Sequence, residues 1–115
     1  MEIKNAIIQS TFLGREDHGI FTFYIGCNTQ DGSLFRNVGG YCLDYKDKDS
    51  GRNIYSPNGL KLINEIISVI GCDSWEEIKG EYIRLKIIDG LPIGIGNILE
   101  DKWVIFADIL KGSEE

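Results

Sequence analysis

The chain has 115 residues, of which 43% are hydrophobic. This length and composition predict a single domain over residues 1–115 with a real core and exclude a disordered chain. Acidic residues outnumber basic ones by 18 to 12, which gives a net charge of -6. Because an acidic domain repels phosphate backbones, general nucleic-acid binding is disfavoured, whereas a basic protein partner remains open.

The three cysteines, Cys27, Cys42 and Cys72, are odd in number and widely spaced. They predict neither a disulfide framework nor a zinc site and are typical of buried thiols in a reducing compartment.

No apolar run reaches the roughly 20 residues that cross a bilayer. Residues 1–5 also lack the apolar core of a signal peptide. We therefore expect a cytoplasmic protein, in whatever cell makes it, without membrane contact.

The first half of the sequence predicts an antiparallel meander. Residues 2–13 form a strand with apolar residues on both faces, Ile3, Ile7 and Leu13 on one and Ala6, Ile8 and Phe12 on the other. A turn at 14–19 leads to a second strand at 20–28, whose core face carries Phe21, Phe23, Ile25 and Cys27 at period two. An Asp-Gly hairpin turn at 30–33 leads to a third strand at about 34–45. The polar segment 46–53 is predicted to be a loop.

A single main helix is predicted at about 57–70, opened by Ser56 as N-cap and Pro57 as first residue, and closed by Gly71. Its apolar residues cover about half of the helix surface, which is wide enough to meet both the sheet and a second subunit. We therefore expect a homo-oligomer.

The second half predicts a short helical turn at 74–80, started by a capping box between Ser74 and Glu77, and further strands at 81–89, 93–99 and 103–106. The β-β-β-α-β-β order predicts an α+β fold, an antiparallel sheet of about five to six strands with one main helix on one face. The tail from Lys111 is predicted to be frayed.

The pair Gly39-Gly40 interrupts a strand-like run and is the first candidate site. Such glycines mark either a β-bulge that bends the sheet or a close approach of a ligand to the backbone. In the ligand interpretation, Arg36 contacts a phosphate, Tyr41 stacks on a base and Asp44 accepts a hydrogen bond from a ribose hydroxyl or a base amine. Both interpretations stay open, since neither a P-loop nor a Rossmann fingerprint is present.

Two further segments are candidates for ligand contact. The turn residues Glu16, Asp17 and His18 combine carboxylates with the one imidazole of the chain, and turn chemistry is the alternative. Lys102 and Trp103 offer a charge beside an aromatic plate, or a Trp that seals the core.

Arg84 and Lys86 place a positive stripe on the outer face of the predicted sheet, either solvated or part of an anion-binding surface.

We expect no enzymatic activity, no cofactor and no metal. The sequence contains no G-x-S-x-G, no H-E-x-x-H and no paired carboxylates in a convincing context. The candidate residues therefore predict binding without catalysis.

Four segments together resemble a widespread family of small bacteriophage proteins: STFLGREDHG (10–19), GGYCLD (39–44), SWEEIKGEYIR (74–84) and IGNILEDKW (95–103). The chain departs from the family pattern at 33–38, where relatives are glycine-rich, and after Trp103, where an apolar run continues. Either departure alters a pocket or an oligomer contact, so a ligand is not carried over from the family.

The resemblance implies a phage protein that acts on the host by binding, and three functions follow from it. The first is a sponge that sequesters a nucleotide-derived immune signal in a pocket lined by the glycine segment and the 16–18 turn. The second is an acidic inhibitor that blocks a basic host defence protein, as an anti-CRISPR protein does. The third is a phage accessory or structural protein.

Overall fold

The structure, a computed structural model, describes residues 1–16, 19–46, 48–55 and 57–111, with the side chains at 36, 45, 46, 53, 55 and 111 excepted. The strands are β1 (Glu2–Glu16), β2 (Ile20–Thr29), β3 (Leu34–Gly39), β4 (Asp44–Lys46), β5 (Asn53–Tyr55), β6 (Tyr82–Ile88), β7 (Leu91–Asn97) and β8 (Trp103–Ile105). The helices are α1 (Pro57–Ile70) and α2 (Phe106–Lys111), with a 3-10 helix at Glu76–Ile78. These elements confirm the predicted α+β fold with an antiparallel sheet and one main helix.

Six strands form one antiparallel sheet in the order β3-β2-β1-β6-β7-β8, and β4 and β5 form a separate two-stranded ribbon. The long strand β1 lies in the middle and pairs with β2 along its second half and with β6 along its first half. The sheet curls so strongly that the edge strand β3 approaches β7. One face of this curled sheet, the inner face, therefore wraps around the core.

A β-bulge in β1 reverses which residues face the core. Ile8 pairs with Cys27, but Ser10 pairs with Gly26, so Gln9 is an extra residue in β1. After the bulge, Leu13 pairs with the buried Phe23. The predicted faces of β1 are therefore wrong beyond Gln9, because the extra residue shifts the period-two pattern by one. Ala6 and Ile8 lie in the core, whereas Phe12, which the pattern placed on the same face, pairs with Tyr24 on the opposite, outer face.

The predicted strand at 34–45 is two strands in two different sheets. β3 ends at Gly39, and β4 begins at Asp44 and pairs with β5, so this ribbon overlaps the predicted loop 46–53 only at Lys46 and Asn53. The break has a backbone cause, since Gly39 and Gly40 have φ angles of +112° and +78°. An extended strand requires negative φ, so the chain leaves the sheet at these two glycines.

Helix α1 confirms the predicted range 57–70 and supplies Leu62, Ile63, Ile66 and Val69 to the core. Burial of each of these side chains contributes about 1.5–3 kcal/mol. At the end of the helix, Gly71 has a φ of +95°, and its N–H bonds the carbonyl of Ile67 at 3.1 Å. The predicted N-cap, Ser56, lies outside the described residues. The apolar Leu60 is 75% exposed, so part of the apolar surface of α1 lies outside the core.

The second half of the chain follows the prediction with two corrections. Ile83, Leu85 and Ile87 of β6 are buried as expected. β7 begins at Leu91, two residues before the predicted start, and ends at Asn97. Phe106 is not the end of the last strand but the first residue of α2, which packs against α1. The apolar run after Trp103 is compatible with either element, and its period alone does not distinguish them.

Both helices contact β7 and β8, with α1 burying its apolar side in the shared core on the inner face. On the outer face, alternate residues of the strands point away from this core, and Ile3, Phe12 and Tyr82 among them are exposed. Neither described helix has the length and apolar run that a membrane crossing requires.

Candidate functional site

The glycine pair is packed tightly against β2. A Cβ atom on Gly39 would lie 2.5 Å from the ring of Phe23 and 2.8 Å from its carbonyl oxygen. The N–H of Gly40 donates to that same carbonyl at 2.7 Å. Both positions combine positive φ with close approach, so the conformation of this segment requires glycine whether or not a ligand binds there.

Tyr41 and Asp44, predicted to contact a ligand, turn inward. The ring of Tyr41 is half-buried and lies 5.5 Å from the ring of Phe106, centroid to centroid. Asp44 is 8% exposed, and its Oδ1 accepts the backbone N–H of Phe21 at 3.1 Å. Within the described part of the chain, Oδ2 of Asp44 is buried without a hydrogen-bond partner. These two side chains therefore hold the segment 40–44 against the start of β2.

An open depression of about 550 Å³ lies on the outer face, between the second half of β1, β2 and β3. Its lining includes Glu16, Tyr24, Asn28 and Asn37. The depression is joined to the glycine segment, because a Cβ on Gly40 would lie 3.1 Å from the ring of Tyr24. The structure thus places the predicted residue Glu16 in the lining of the depression, and the predicted glycine Gly40 beside the ring of Tyr24, which belongs to the same lining.

The lining of the depression is suited to hydrogen bonding. It contains two carboxamides from asparagine, one from glutamine (Gln9), the hydroxyls of Ser10 and Tyr24, and the carboxylate of Glu16. The lining also includes the buried Gly26, where the hydroxyl of Ser10 occupies the space that a side chain would fill. Amides, hydroxyls and one carboxylate can form hydrogen bonds with the edges of a base or with the hydroxyls of a sugar. Among the described residues that line the depression, Glu16 is the only charged one.

Several predicted site residues cannot be placed. Asp17 and His18 lie outside the described residues. Arg36 lies in β3, next to Asn37, but its side chain also lies outside the described part. The predicted contacts of these three side chains therefore stay predictions.

Trp103 lies on the outer face at β8, away from the depression. The cations next to its ring are Arg84 and Lys86, not Lys102, which was predicted to act with it. The ring of Trp103 covers Gly96, since a Cβ there would lie 2.6 Å from the ring. The guanidinium of Arg84 and the ammonium of Lys86 lie 4.7 and 4.5 Å from the ring centroid. Lys102 instead pairs with Glu100 at 3.0 Å. We call Arg84, Lys86 and Trp103 the cationic cluster.

Among the described residues no metal cluster is found, and the thiols of Cys27 and Cys72 are not activated. No three His, Cys, Asp or Glu side chains among them gather at a possible metal position. Burial raises the pKa of Cys27 to about 12. Desolvation and the nearby carboxylate of Glu81 raise the pKa of Cys72 to about 11. Both thiols are therefore protonated at neutral pH and are poor nucleophiles.

Tyr24, Asn28 and Asn37 were missed by sequence reasoning. The signal for the first two was present, because the period that places Phe23, Ile25 and Cys27 in the core places Tyr24 and Asn28 on the opposite face. No comparable signal marked Asn37, since the pairing of β3 with β2 is irregular between Ile25 and Cys27.

Comparison with known proteins gave no match to a family model, to a curated protein or to a solved structure.

Proposed function

We propose that the protein is a non-catalytic binding protein that sequesters a small nucleotide-derived ligand in the depression on the outer face. The observation that carries this proposal is the juxtaposition of Glu16, Tyr24, Asn28 and Asn37 around one open volume of about 550 Å³. Volumes of a few hundred cubic ångströms are the usual size of small-ligand sites.

The chemistry of the lining favours a base and its sugar over a bare anion. Carboxamides present a donor and an acceptor side by side, which matches the edge of a base, and a carboxylate accepts from ribose hydroxyls. The ring of Tyr24 supplies an aromatic surface at the same place. A ligand held in this way is bound and released unchanged, which is the behaviour of a sponge for an immune signal in a phage-infected cell.

Native mass spectrometry tests the proposal with a panel of cyclic nucleotides and ADP-ribose-derived compounds. We expect a saturable adduct from which the compound is recovered intact. Recovery of a cleaved compound would contradict sequestration. If no member of the panel binds while a salt-sensitive complex with a basic host protein forms, the sponge is refuted in favour of the acidic inhibitor.

Substitutions then locate the site. Asn28→Ala and Asn37→Ala each remove one exposed carboxamide, and Asn64→Ala on α1 is a matched control far from the depression. A lost neutral hydrogen bond costs about 0.5–1.5 kcal/mol, so we expect the Kd to rise about two- to tenfold for the first two variants. An equal effect of Asn64→Ala, or none from the first two, would place the ligand elsewhere.

A further inference from the structure

The cationic cluster is built on the part of the outer face formed by β6, β7 and β8. Arg84 pairs with Gly96, which pairs in turn with Trp103, so the three residues form one row across three strands. The bare Gly96 leaves room for the indole ring to lie over β7 and meet the two cations from β6. The arrangement depends on residues from three strands, not on neighbours in sequence.

Hydrogen bonds hold two members of the cluster in place. Arg84 donates through Nε to the carbonyl of Asn97 and through Nη2 to the carbonyl of Glu100, each at 2.7 Å. The indole N–H of Trp103 donates to Asp101 at 3.0 Å. Because Arg84 bonds to neutral carbonyls, its charge is not cancelled by either contact. A partner meets a guanidinium and an indole that are already oriented.

No salt bridge to Arg84 or Lys86 is found in the part of the chain that the structure describes. With these two cations set aside, the remainder of the chain carries a formal charge of -8, since -6 minus 2 is -8. The cluster is therefore a place where an anionic group can approach an otherwise repulsive protein.

Exposed apolar side chains surround the cluster. Tyr82 is 63% exposed and Ile3, which pairs with Lys86, is 51% exposed. Trp, Tyr and Arg are the residue types that dominate binding energy at protein interfaces. A bare phosphate ligand gains nothing from the apolar rim, and a nucleic acid requires many more cations to overcome a charge of -6.

We propose that the cationic cluster with Tyr82 and Ile3 is the docking surface for an acidic segment of a partner protein that also carries apolar side chains. Carboxylates of the segment meet Lys86 and Arg84, while its apolar side chains cover Tyr82 and Ile3. This surface is separate from the depression lined by Asn28 and Asn37, so the proposal does not depend on the proposed function.

Fluorescence anisotropy tests this proposal with the full chain and a labelled synthetic peptide of alternating glutamate and leucine. We expect saturable binding that weakens as salt is raised. The charge-reversed peptide of alternating lysine and leucine should not bind. Failure of the acidic peptide to bind, or equal binding of both peptides, would overturn the proposal.

Lys86→Glu and Lys61→Glu form a matched pair of variants. Both change the net charge equally, but Lys61 is exposed on α1, away from the cluster. We expect Lys86→Glu to weaken peptide binding at least about tenfold, because an interfacial attraction becomes a repulsion. Lys61→Glu should leave binding almost unchanged. Equal weakening by both variants would show that only the overall charge matters and would overturn the proposal.

A second pair tests the apolar part of the surface. Tyr82→Ser and Leu60→Ser each remove a side chain that is largely exposed, 63% for Tyr82 and 75% for Leu60, so neither should disturb folding. We expect only Tyr82→Ser to weaken peptide binding.

Two results would assign the surface to a different occupant and overturn the proposal. Tighter binding of single-stranded DNA than of the peptide would indicate a nucleic acid. Self-association of the protein that is lost in the Lys86→Glu variant would indicate a second copy of the chain.

Discussion

Gly39→Ala should destabilise the protein by about 2–5 kcal/mol. A side chain at positive φ costs about 1–2 kcal/mol, and Gly39 has a φ of +112°. The added methyl group would also lie 2.5 Å from the ring of Phe23 and 2.8 Å from its carbonyl oxygen. Overpacking of this kind costs about 1–3 kcal/mol. The free energy of unfolding from urea denaturation measures the sum.

Gly32→Ala separates the two costs. Gly32 has a similar φ of +86°, but a Cβ there meets nothing within 4 Å. The Gly32→Ala substitution should therefore lower the free energy of unfolding only by the cost of the positive φ, about 1–2 kcal/mol. If the two variants are equally destabilised, the packing of Gly39 against Phe23 is refuted as the reason for this glycine. A Gly39→Ala protein of normal stability that no longer binds a nucleotide would instead support the ligand interpretation.

Three further expectations concern a hydrogen-bonded side chain and the thiols. Asn97→Ala should lower the free energy of unfolding, measured by urea denaturation, by about 2–4 kcal/mol. The carboxamide of Asn97 donates to the carbonyl of Val69 and accepts from the N–H groups of residues 99 and 100, at 2.8–2.9 Å. A thiol reagent at pH 8 should modify the exposed Cys42 first, then Cys72 slowly, and Cys27 only after unfolding. Mass spectrometry of the labelled peptides gives the order, and modification of Cys27 in the folded protein would contradict its burial. The pKa values of Cys72 and Cys27 are raised to about 11 and about 12, so the folded state holds protons that the unfolded state loses. Stability should therefore be retained below pH 9 and fall between pH 9 and about 12, with a smaller loss in a Cys27→Ala variant.

The elements that sequence reasoning predicted well are those whose signal is local. The range 57–70 of α1 follows from its own periodicity and from Gly71, and the structure matches it. The inward residues Ile83, Leu85 and Ile87 of β6 follow from simple alternation. In both cases the pattern runs through the whole element without interruption.

The predictions that failed depend on information that is not local. The faces of β1 changed because Gln9 is an extra residue opposite β2, and only the pairing shows it. The predicted strand at 34–45 ended at Gly39 because of positive φ, although the sequence had marked that glycine. The short helix α2 followed an apolar run that a strand fits equally well.

The candidate site shows the same limit. Sequence reasoning joined Trp103 to its neighbour Lys102, whereas the cations beside the ring come from β6, two strands away in the sheet. It also named Tyr41 as a ligand contact, and the structure packs this ring against Phe23 and Phe106. The neighbours of a side chain on a sheet are set by strand order and register, which one sequence does not display.

Strand register also explains why both proposed binding surfaces lie on the outer face. Ile7 pairs with Asn28 of β2 on one side and with Tyr82 of β6 on the other. One row of the sheet therefore leads from the edge of the depression to the edge of the cationic cluster. The inner face is filled by the core, so exposed side chains in these strands are confined to the outer face and the strand ends.

The two halves of that face nevertheless have different chemistry. The half formed by β1, β2 and β3 presents carboxamides, hydroxyls and Glu16, whereas the half formed by β6, β7 and β8 presents Arg84, Lys86 and Trp103. A ligand that needs neutral hydrogen bonds and a partner that needs positive charge are thus drawn to different strands. Asn28→Ala should impair only nucleotide binding and Lys86→Glu only peptide binding. Loss of both activities in either variant would show that the outer face is a single site, because two independent sites should not share the effect of one substitution.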